Sequence, residues 1–185
     1  AEAEEATAEE AEPEAPEAPE TPDVAIIEAG LDGVVVGTLC LPVDWQYTME
    51  VQLKPEYMPV PIDEVSVYEE EKGIEFFLRR LGPDTYEAAG IPMPADTDEY
   101  ALRSGPQSFL AEGEEYTRDE LGNLCVVHEI ERNGELCVQC VCLKQAENAM
   151  GFVLITYPLG TEIENLPYLL ANTSLADLPN EGDNT

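Results

Sequence analysis

The sequence predicts an α+β fold, in which an antiparallel β-sheet carries helices packed on it. Three observations support this prediction: short apolar or alternating segments follow one another after Val34, an Asn-Gly pair separates two of them, and leucines recur at helical spacing near the C-terminus. The first 22 residues have none of these features. We therefore predict one α+β domain over residues 24–180, preceded by a spacer over residues 1–23 and followed by a flexible tail over residues 181–185.

The N-terminal segment is dominated by glutamate and proline. Residues 1–22 contain nine glutamates and four prolines, and they contain no basic residue, no aromatic residue and no Leu, Ile or Val. Glutamates repel one another and prolines keep the chain extended, so such a segment cannot form a core. We predict a disordered acidic spacer that holds the following domain away from its point of attachment.

The whole chain is strongly acidic. Its formal net charge is −32, of which the nine spacer glutamates supply −9, so the remaining residues still carry −23. This charge repels phosphate groups, and the sequence therefore predicts no nucleic-acid partner and no binding to an anionic membrane surface. Cationic partners, divalent metal ions and a purely solubilising role of the charge stay open.

Four segments in the first half of the domain are predicted strands. Residues 34–41 are apolar and β-branched, which is typical of a buried strand. Residues 45–53 alternate between apolar and polar side chains, which indicates a half-buried strand. Residues 65–68 and 74–78 flank Lys72-Gly73, a pair that favours a hairpin turn.

A long irregular segment follows. Residues 82–107 contain four prolines and no hydrophobic period, so we expect an extended loop with one helical turn near residues 84–89. Asp96, Asp98 and Glu99 lie in this loop, and closely spaced carboxylates can bind Ca²⁺ through their oxygen atoms. They are minor metal candidates, because the chain has 40 acidic residues and lacks an EF-hand pattern.

The clearest local signal is a hairpin. Asn133-Gly134 suits a type I′ turn, because both central residues of that turn have positive φ. The turn fixes the register of residues 124–132 against residues 135–143, and it places Cys125 opposite Cys142 in a non-hydrogen-bonded pair. These two cysteines are either small apolar core residues, which is the simpler interpretation, or the two halves of a cross-strand disulfide.

The remaining cysteines and the histidine have simple structural interpretations. Cys137 and Cys140 form a CxxC pattern, but they fall in a strand and point to opposite faces, which argues against a zinc or thioredoxin site. His128 is the only histidine, and the register places it opposite Gln139 rather than in a catalytic triad. We predict no catalytic residue and no cofactor.

A strand and a helix complete the predicted domain. Residues 151–157 are apolar and β-branched, and Thr161 and Glu164 have the spacing of a capping box, so we expect a helix to begin there. Three aromatic residues elsewhere, Trp45, Tyr86 and Tyr100, are candidates for lining a peptide or glycan groove. Core packing is the commoner role of such residues.

The segment Leu39–Trp45, with the sequence Leu-Cys-Leu-Pro-Val-Asp-Trp, resembles the start of the PsbP and Mog1-like family, which includes small secreted bacterial lipoproteins. In both, an apolar strand is followed by Leu-Pro-x-x-Trp and then by an alternating strand. The order of elements is similar over residues 34–178. The resemblance implies an antiparallel sheet covered by helices in an α/β/α sandwich, and a binding role rather than catalysis.

These predictions favour a non-enzymatic secreted or cell-envelope-tethered domain that binds a protein, peptide or glycan as a monomer. Bacterial envelope proteins often carry such a spacer after a signal peptide or a lipid-anchored N-terminus, so we expect an extracellular or cell-envelope location and a lipid anchor upstream of residue 1. No window holds the ~18–20 apolar residues of a membrane helix. The alternatives are a carboxylate-based metal-dependent protein or enzyme that uses residues 82–107, and a cytosolic adaptor with reduced cysteines.

Overall fold

A computed structural model describes residues 23–179 of the chain, so the predicted spacer, apart from Asp23, and the predicted tail lie outside the described residues. The strands of the described part are β1 (Val24–Leu31), β2 (Val34–Pro42), β3 (Thr48–Leu53), β4 (Asp63–Glu69), β5 (Ile74–Leu81), β6 (Thr117–Arg118), β7 (Leu124–Arg132), β8 (Glu135–Gln145), β9 (Met150–Pro158) and β10 (Ser174–Leu175). The helices are α1 (Pro83–Ala89), α2 (Thr97–Tyr100), α3 (Ser104–Gln107) and α4 (Leu166–Ala171). The predicted α+β class is confirmed, with sheet as the larger part.

The strands form two sheets in which every pairing is antiparallel. The larger sheet has seven strands in the order β3-β4-β5-β9-β8-β7-β6, and the smaller has three in the order β1-β2-β10. Neighbours in the large sheet are mostly neighbours in sequence, which short turns make possible. The exception is the pairing of β5 with β9, because residues 82–149 separate these two strands in the sequence.

The main apolar core lies between the two sheets. Its buried members are Ala29, Val36, Leu39, Leu41, Trp45, Val65, Val67, Ile74, Phe76, Leu78, Cys140, Cys142, Val153, Ile155, Leu170 and Leu175. Gly37 of β2 allows the sheets to approach closely, since a Cβ atom there would lie 2.4 Å from Cδ2 of Leu78. One face of the large sheet is therefore covered mainly by the small sheet, with α4 beside it. The predicted α/β/α sandwich would have helices at this position, so this layer differs from the prediction.

A second core covers the opposite face of the large sheet. Leu124, Val126, Val141, Leu143, Met150 and Phe152 are its strand members, and they pack with Tyr100 and Ala101 of the helical segment. This division follows from strand geometry, because successive side chains point to opposite faces. The predicted loop over residues 82–107 thus forms three short helices that cover a sheet face. The predicted helical turn near residues 84–89 is α1.

The predicted hairpin has the predicted register. Asn133 and Gly134 have φ values of 54° and 83°, as a type I′ turn requires. Cys125 pairs directly with Cys142, and their Cα atoms are 4.2 Å apart, as expected for a non-hydrogen-bonded pair. The structure joins these two cysteines as a disulfide, which is the less simple of the two interpretations open from the sequence.

Three element boundaries differ from the sequence prediction. Strand β1 was not predicted, because its apolar run is short and interrupted by Glu28, although an Asp-Gly turn joins it to β2. Strand β3 begins at Thr48 rather than at residue 45. The capping box at Thr161 and Glu164 is wrong: α4 begins at Leu166 after Asn165, whose φ of 61° is left-handed. Proline at the second helical position fixes that later start.

A buried arginine joins the two sheets. Arg80 of β5 is 1% exposed, and its guanidinium donates to Oδ2 of Asp63 at 2.7 Å and to the carbonyl oxygens of Val35 and Ala176 at 2.7 and 3.1 Å. A buried charge needs this degree of pairing, because an uncompensated one is strongly destabilising. Arg80 therefore fixes β2 and the segment after β10 to the large sheet.

Candidate functional site

A cavity with a volume of about 910 Å³ opens between the ends of the two sheets. Such a volume suits a small ligand or a few residues of a peptide. The walls come from the turn after β2, the turn between β4 and β5, the end of β9 and the loop before α4. The lining comprises Asp23, Val24, residues 42–45, Lys72, Tyr157 and residues 161–165.

Trp45 lines this cavity and also belongs to the core between the sheets. Its backbone N–H donates to the carbonyl oxygen of Pro42 at 3.3 Å, so it lies in the turn after β2 instead of starting the next strand. Its side chain is 7% exposed. Among residues 23–179, its indole Nε1–H forms no hydrogen bond. A buried indole N–H usually has a hydrogen-bond partner, so an unpartnered one beside a cavity is a candidate donor to a ligand.

Glu69 holds two walls of the cavity together. Its carboxylate accepts hydrogen bonds from the backbone N–H groups of Gln46 at 2.8 Å, of Glu71 at 3.0 Å and of Lys72 at 3.4 Å. The bond from Gln46 is the main reason that the pKa of Glu69 is lowered, against the opposing effect of burial. The turn that carries Trp45 is therefore fixed to the turn that carries Lys72.

Four carboxylates line the cavity without a partner. Asp23, Asp44, Glu162 and Glu164 are exposed, and within the described part of the chain their side chains form no hydrogen bond and no ion pair. Lys72 is the cation of the lining. The surface of the cavity is therefore negative at neutral pH.

The other basic side chains of the chain are engaged elsewhere. Ion pairs to carboxylates involve Lys54, Arg79, Arg80, Arg118 and Arg132. Arg103 lies over the ring of Tyr86, and the ammonium of Lys144 donates to the carbonyl oxygen of Leu170 at 2.7 Å. The lining carboxylates therefore have no internal cation except Lys72 to neutralise them.

The predicted metal candidates are occupied by local structure. Asp96 caps α2 by accepting from the N–H of Glu99 at 3.0 Å, and Glu99 accepts from the N–H of Ala95 at 2.8 Å. Asp98 pairs with the guanidinium of Arg118, 2.6 Å from Oδ2. Over residues 23–179, no group of three or more His, Cys, Asp or Glu side chains is arranged to hold a metal ion.

The three candidate aromatics do not form one groove. Tyr86 and Tyr100 are 5% and 3% exposed, and Tyr100 packs in the core on the far face of the large sheet. Burial raises the pKa of both hydroxyl groups. The loop that carries these two tyrosines folds onto the sheet and buries them, so their side chains contribute to packing. Trp45 lies on the other face and lines the cavity.

His128 connects the far face of the sheet to the segment before β6. Its Nε2 is 2.9 Å from Oε1 of Gln139, as the register predicts, and its Nδ1 is 2.8 Å from Oε1 of Glu114. Burial lowers the pKa of His128, but the bonds to Gln139 and Glu114 outweigh it and the net shift is upward. The imidazole thus bridges an amide and a carboxylate.

Three cysteines remain as buried thiols: Cys40, Cys137 and Cys140. Burial raises the pKa of Cys140 to about 11, which keeps it as a thiol at neutral pH. Cys140 belongs to the core between the sheets, whereas Cys137 lies at an odd number of residues from it and points to the other face. The CxxC pattern therefore brings no two sulfur atoms together, as predicted.

Sequence reasoning missed the acidic part of the cavity. In the sequence, Glu162 and Glu164 have the pattern of a helix start, and Asp44 belongs to the Leu-Pro-x-x-Trp segment. The available signal was the Asp-Trp pair followed, more than a hundred residues later, by a Glu-x-Glu segment with no basic neighbour. Nothing in the local pattern indicates that these two segments meet.

Among the described residues, no helix is long and apolar enough to cross a membrane.

Comparison with protein-family models, with curated proteins and with solved structures finds no match for this chain.

Proposed function

We propose that this protein is a non-enzymatic binding domain, secreted or tethered at the cell envelope, whose ligand site is the cavity at Trp45. The observation that supports it is a cavity of about 910 Å³ that combines a buried tryptophan, whose N–H has no partner within the described residues, with four unpaired carboxylates. Pockets with an apolar base and a few polar groups are typical binding sites. A protein, peptide or glycan partner fits this description.

The position of the N-terminal segment supports the tether. Asp23 lines the cavity and follows directly on the glutamate- and proline-rich residues 1–22. The spacer predicted for those residues would hold the mouth of the cavity away from an attachment point. An extracellular or cell-envelope location, with a lipid anchor upstream of residue 1, is part of the same proposal.

The finer fold assignment is also a proposal. The Leu-Pro-x-x-Trp segment ends at Trp45, and the antiparallel large sheet has an apolar core on each face. Both features support a PsbP/Mog1-like arrangement, from which the protein departs in one respect: the small sheet, with α4 beside it, forms the outer layer on one face. In this arrangement the Trp of the motif lies at the ligand site.

Fluorescence of Trp45 provides the test, because it is the only tryptophan of the chain. The full chain is titrated with short basic, neutral and acidic peptides and with a soluble chito-oligosaccharide, and each probe is then checked by mass spectrometry. We expect a saturable change of emission with at least one probe, and recovery of that probe unchanged. Absence of any change, or chemical conversion of a probe, would contradict the proposal.

A matched pair of variants locates the site. Trp45→Phe keeps a large aromatic side chain in the core but removes the indole N–H, and Tyr57→Ala removes an aromatic side chain that is 68% exposed and does not line the cavity. Calorimetric titration should show weaker binding for Trp45→Phe and unchanged binding for Tyr57→Ala. The opposite result would place the ligand elsewhere.

A further inference from the structure

We propose that the ligand is a basic peptide segment, with a Lys or Arg side chain held among the cavity carboxylates and a backbone carbonyl held by Trp45; this rests on the function proposed above. Two independent observations point to this class of ligand. One is the set of four unpaired carboxylates, and the other is the indole N–H, which is buried and has no partner among the described residues.

The negative charge of the cavity favours a positively charged ligand. Asp44, Glu162 and Glu164 all line the cavity, so a cationic group bound inside it lies near several carboxylates. An anionic ligand would be repelled by the same groups and by a chain whose net charge is −32.

The buried N–H selects the type of cation. A buried indole donor needs an acceptor, and a metal ion or a polyamine offers none. A peptide offers both groups, since its backbone carbonyl accepts a hydrogen bond and its Lys or Arg side chain carries the positive charge.

The experiment compares peptides that differ only in charge. A short Ala-rich peptide with Lys and Arg is titrated against Trp45 fluorescence beside three relatives, in which acetyl-lysine and citrulline, glutamate or alanine replace the basic residues. We expect the basic peptide to bind most tightly, and its affinity to fall as the ionic strength rises. Spermidine and Ca²⁺ are titrated in the same way and should bind more weakly than the basic peptide.

Charge variants test the role of the named residues. The double variant Glu162→Gln/Glu164→Gln should weaken binding of the basic peptide roughly 3- to 30-fold, since two exposed ion pairs are lost. The matched control, Glu112→Gln/Glu115→Gln, removes the same charge from the segment that covers the far face of the large sheet and should leave the affinity unchanged. Lys72→Gln should strengthen binding, because it removes the cation of the lining.

The outcomes separate this inference from the proposed function. Binding of the chito-oligosaccharide or the neutral peptide, with no preference for the basic one, would overturn the inference and leave the binding function standing. If spermidine or Ca²⁺ binds as tightly as the basic peptide, the inference that the ligand is a peptide is overturned. If the two double variants lose the same amount of affinity for the basic peptide, the role of Glu162 and Glu164 is overturned. If no probe changes Trp45 emission, both proposals fail.

Discussion

The acidic side chains of this protein form two groups that differ in their neighbours. In the first group, Asp63, Glu69 and Asp98 accept hydrogen bonds from arginine side chains or backbone N–H groups. In the second, Glu162 and Asp44 lie at the Trp45 cavity with no partner in the described part of the chain. Both groups look alike in the sequence, where an acidic residue says nothing about its neighbours.

The difference shows which acids serve the fold and which are free to serve a ligand. A carboxylate that is already hydrogen-bonded must lose those bonds before it can bind another group. An unpaired surface carboxylate loses only water. Substitutions in the first group should therefore change the stability of the protein, and substitutions in the second should change binding alone.

The largest effect is expected at Asp63. Asp63→Ala leaves the buried guanidinium of Arg80 without its carboxylate, which should lower the free energy of unfolding by about 3–5 kcal/mol. Asp44→Ala, in the other group, should change it by no more than about 0.5 kcal/mol. Urea unfolding followed by circular dichroism measures both values. Similar values for the two variants would remove the distinction between the groups.

The cysteines also divide into a paired group and an unpaired group, and here the pairing is a covalent bond. Cys125 and Cys142 are joined over a sequence separation of 17, and opening such a loop should cost about 3 kcal/mol of stability. Thiol titration of the denatured chain should find three thiols before reduction and five after it. The variant Cys125→Ala/Cys142→Ala should unfold at the same urea concentration with and without reductant. Five thiols before reduction would contradict the disulfide.

The hairpin shows how far sequence reasoning reaches. Asn133-Gly134 fixes a turn, the turn fixes a register, and the register places Cys125 opposite Cys142 and His128 opposite Gln139. Each step is local, so each could be predicted. Strand β1 had a comparable signal in Asp32-Gly33, whose φ values are 54° and 82°, and attention to that turn would have found it.

The cavity shows where sequence reasoning ends. Its walls come from residues 42–45, residues 161–165 and Lys72, which are distant in sequence and meet through the packing of the two sheets and the pairing of β9 with β5. Such a long-range strand order has no local signature. Burial of Tyr86 and Tyr100 is also a long-range effect. The irregular segment that carries them packs on one face of the large sheet, and no local pattern in the sequence shows that this face needs a cover.

An intermediate effect is expected at Glu69, and it depends on pH. Its pKa is lowered in the folded protein, so its contribution to stability is complete above the unfolded value, near 4.5, and is lost as the pH falls through the lower folded value. Urea midpoints measured from neutral to acidic pH should therefore fall less steeply for Glu69→Gln than for the unchanged protein. Glu162→Gln is the control and should keep the original slope. A slope that Glu69→Gln leaves unchanged would show that this carboxylate does not hold the two turns together.

The smallest effect on stability is expected at Asp98. This residue also tests whether a paired carboxylate can bind a ligand. Its pair with Arg118 is exposed, and exposed ion pairs contribute about 0–1 kcal/mol, so Asp98→Asn should shift the urea midpoint only slightly. Because the carboxylate is engaged with a guanidinium, 1 mM Ca²⁺ should not raise the melting temperature of the unchanged protein. Stabilisation by Ca²⁺ that disappears in Asp98→Asn would move Asp98 into the group of ligand-binding acids. Pairing with a neighbour would then no longer separate structural carboxylates from functional ones.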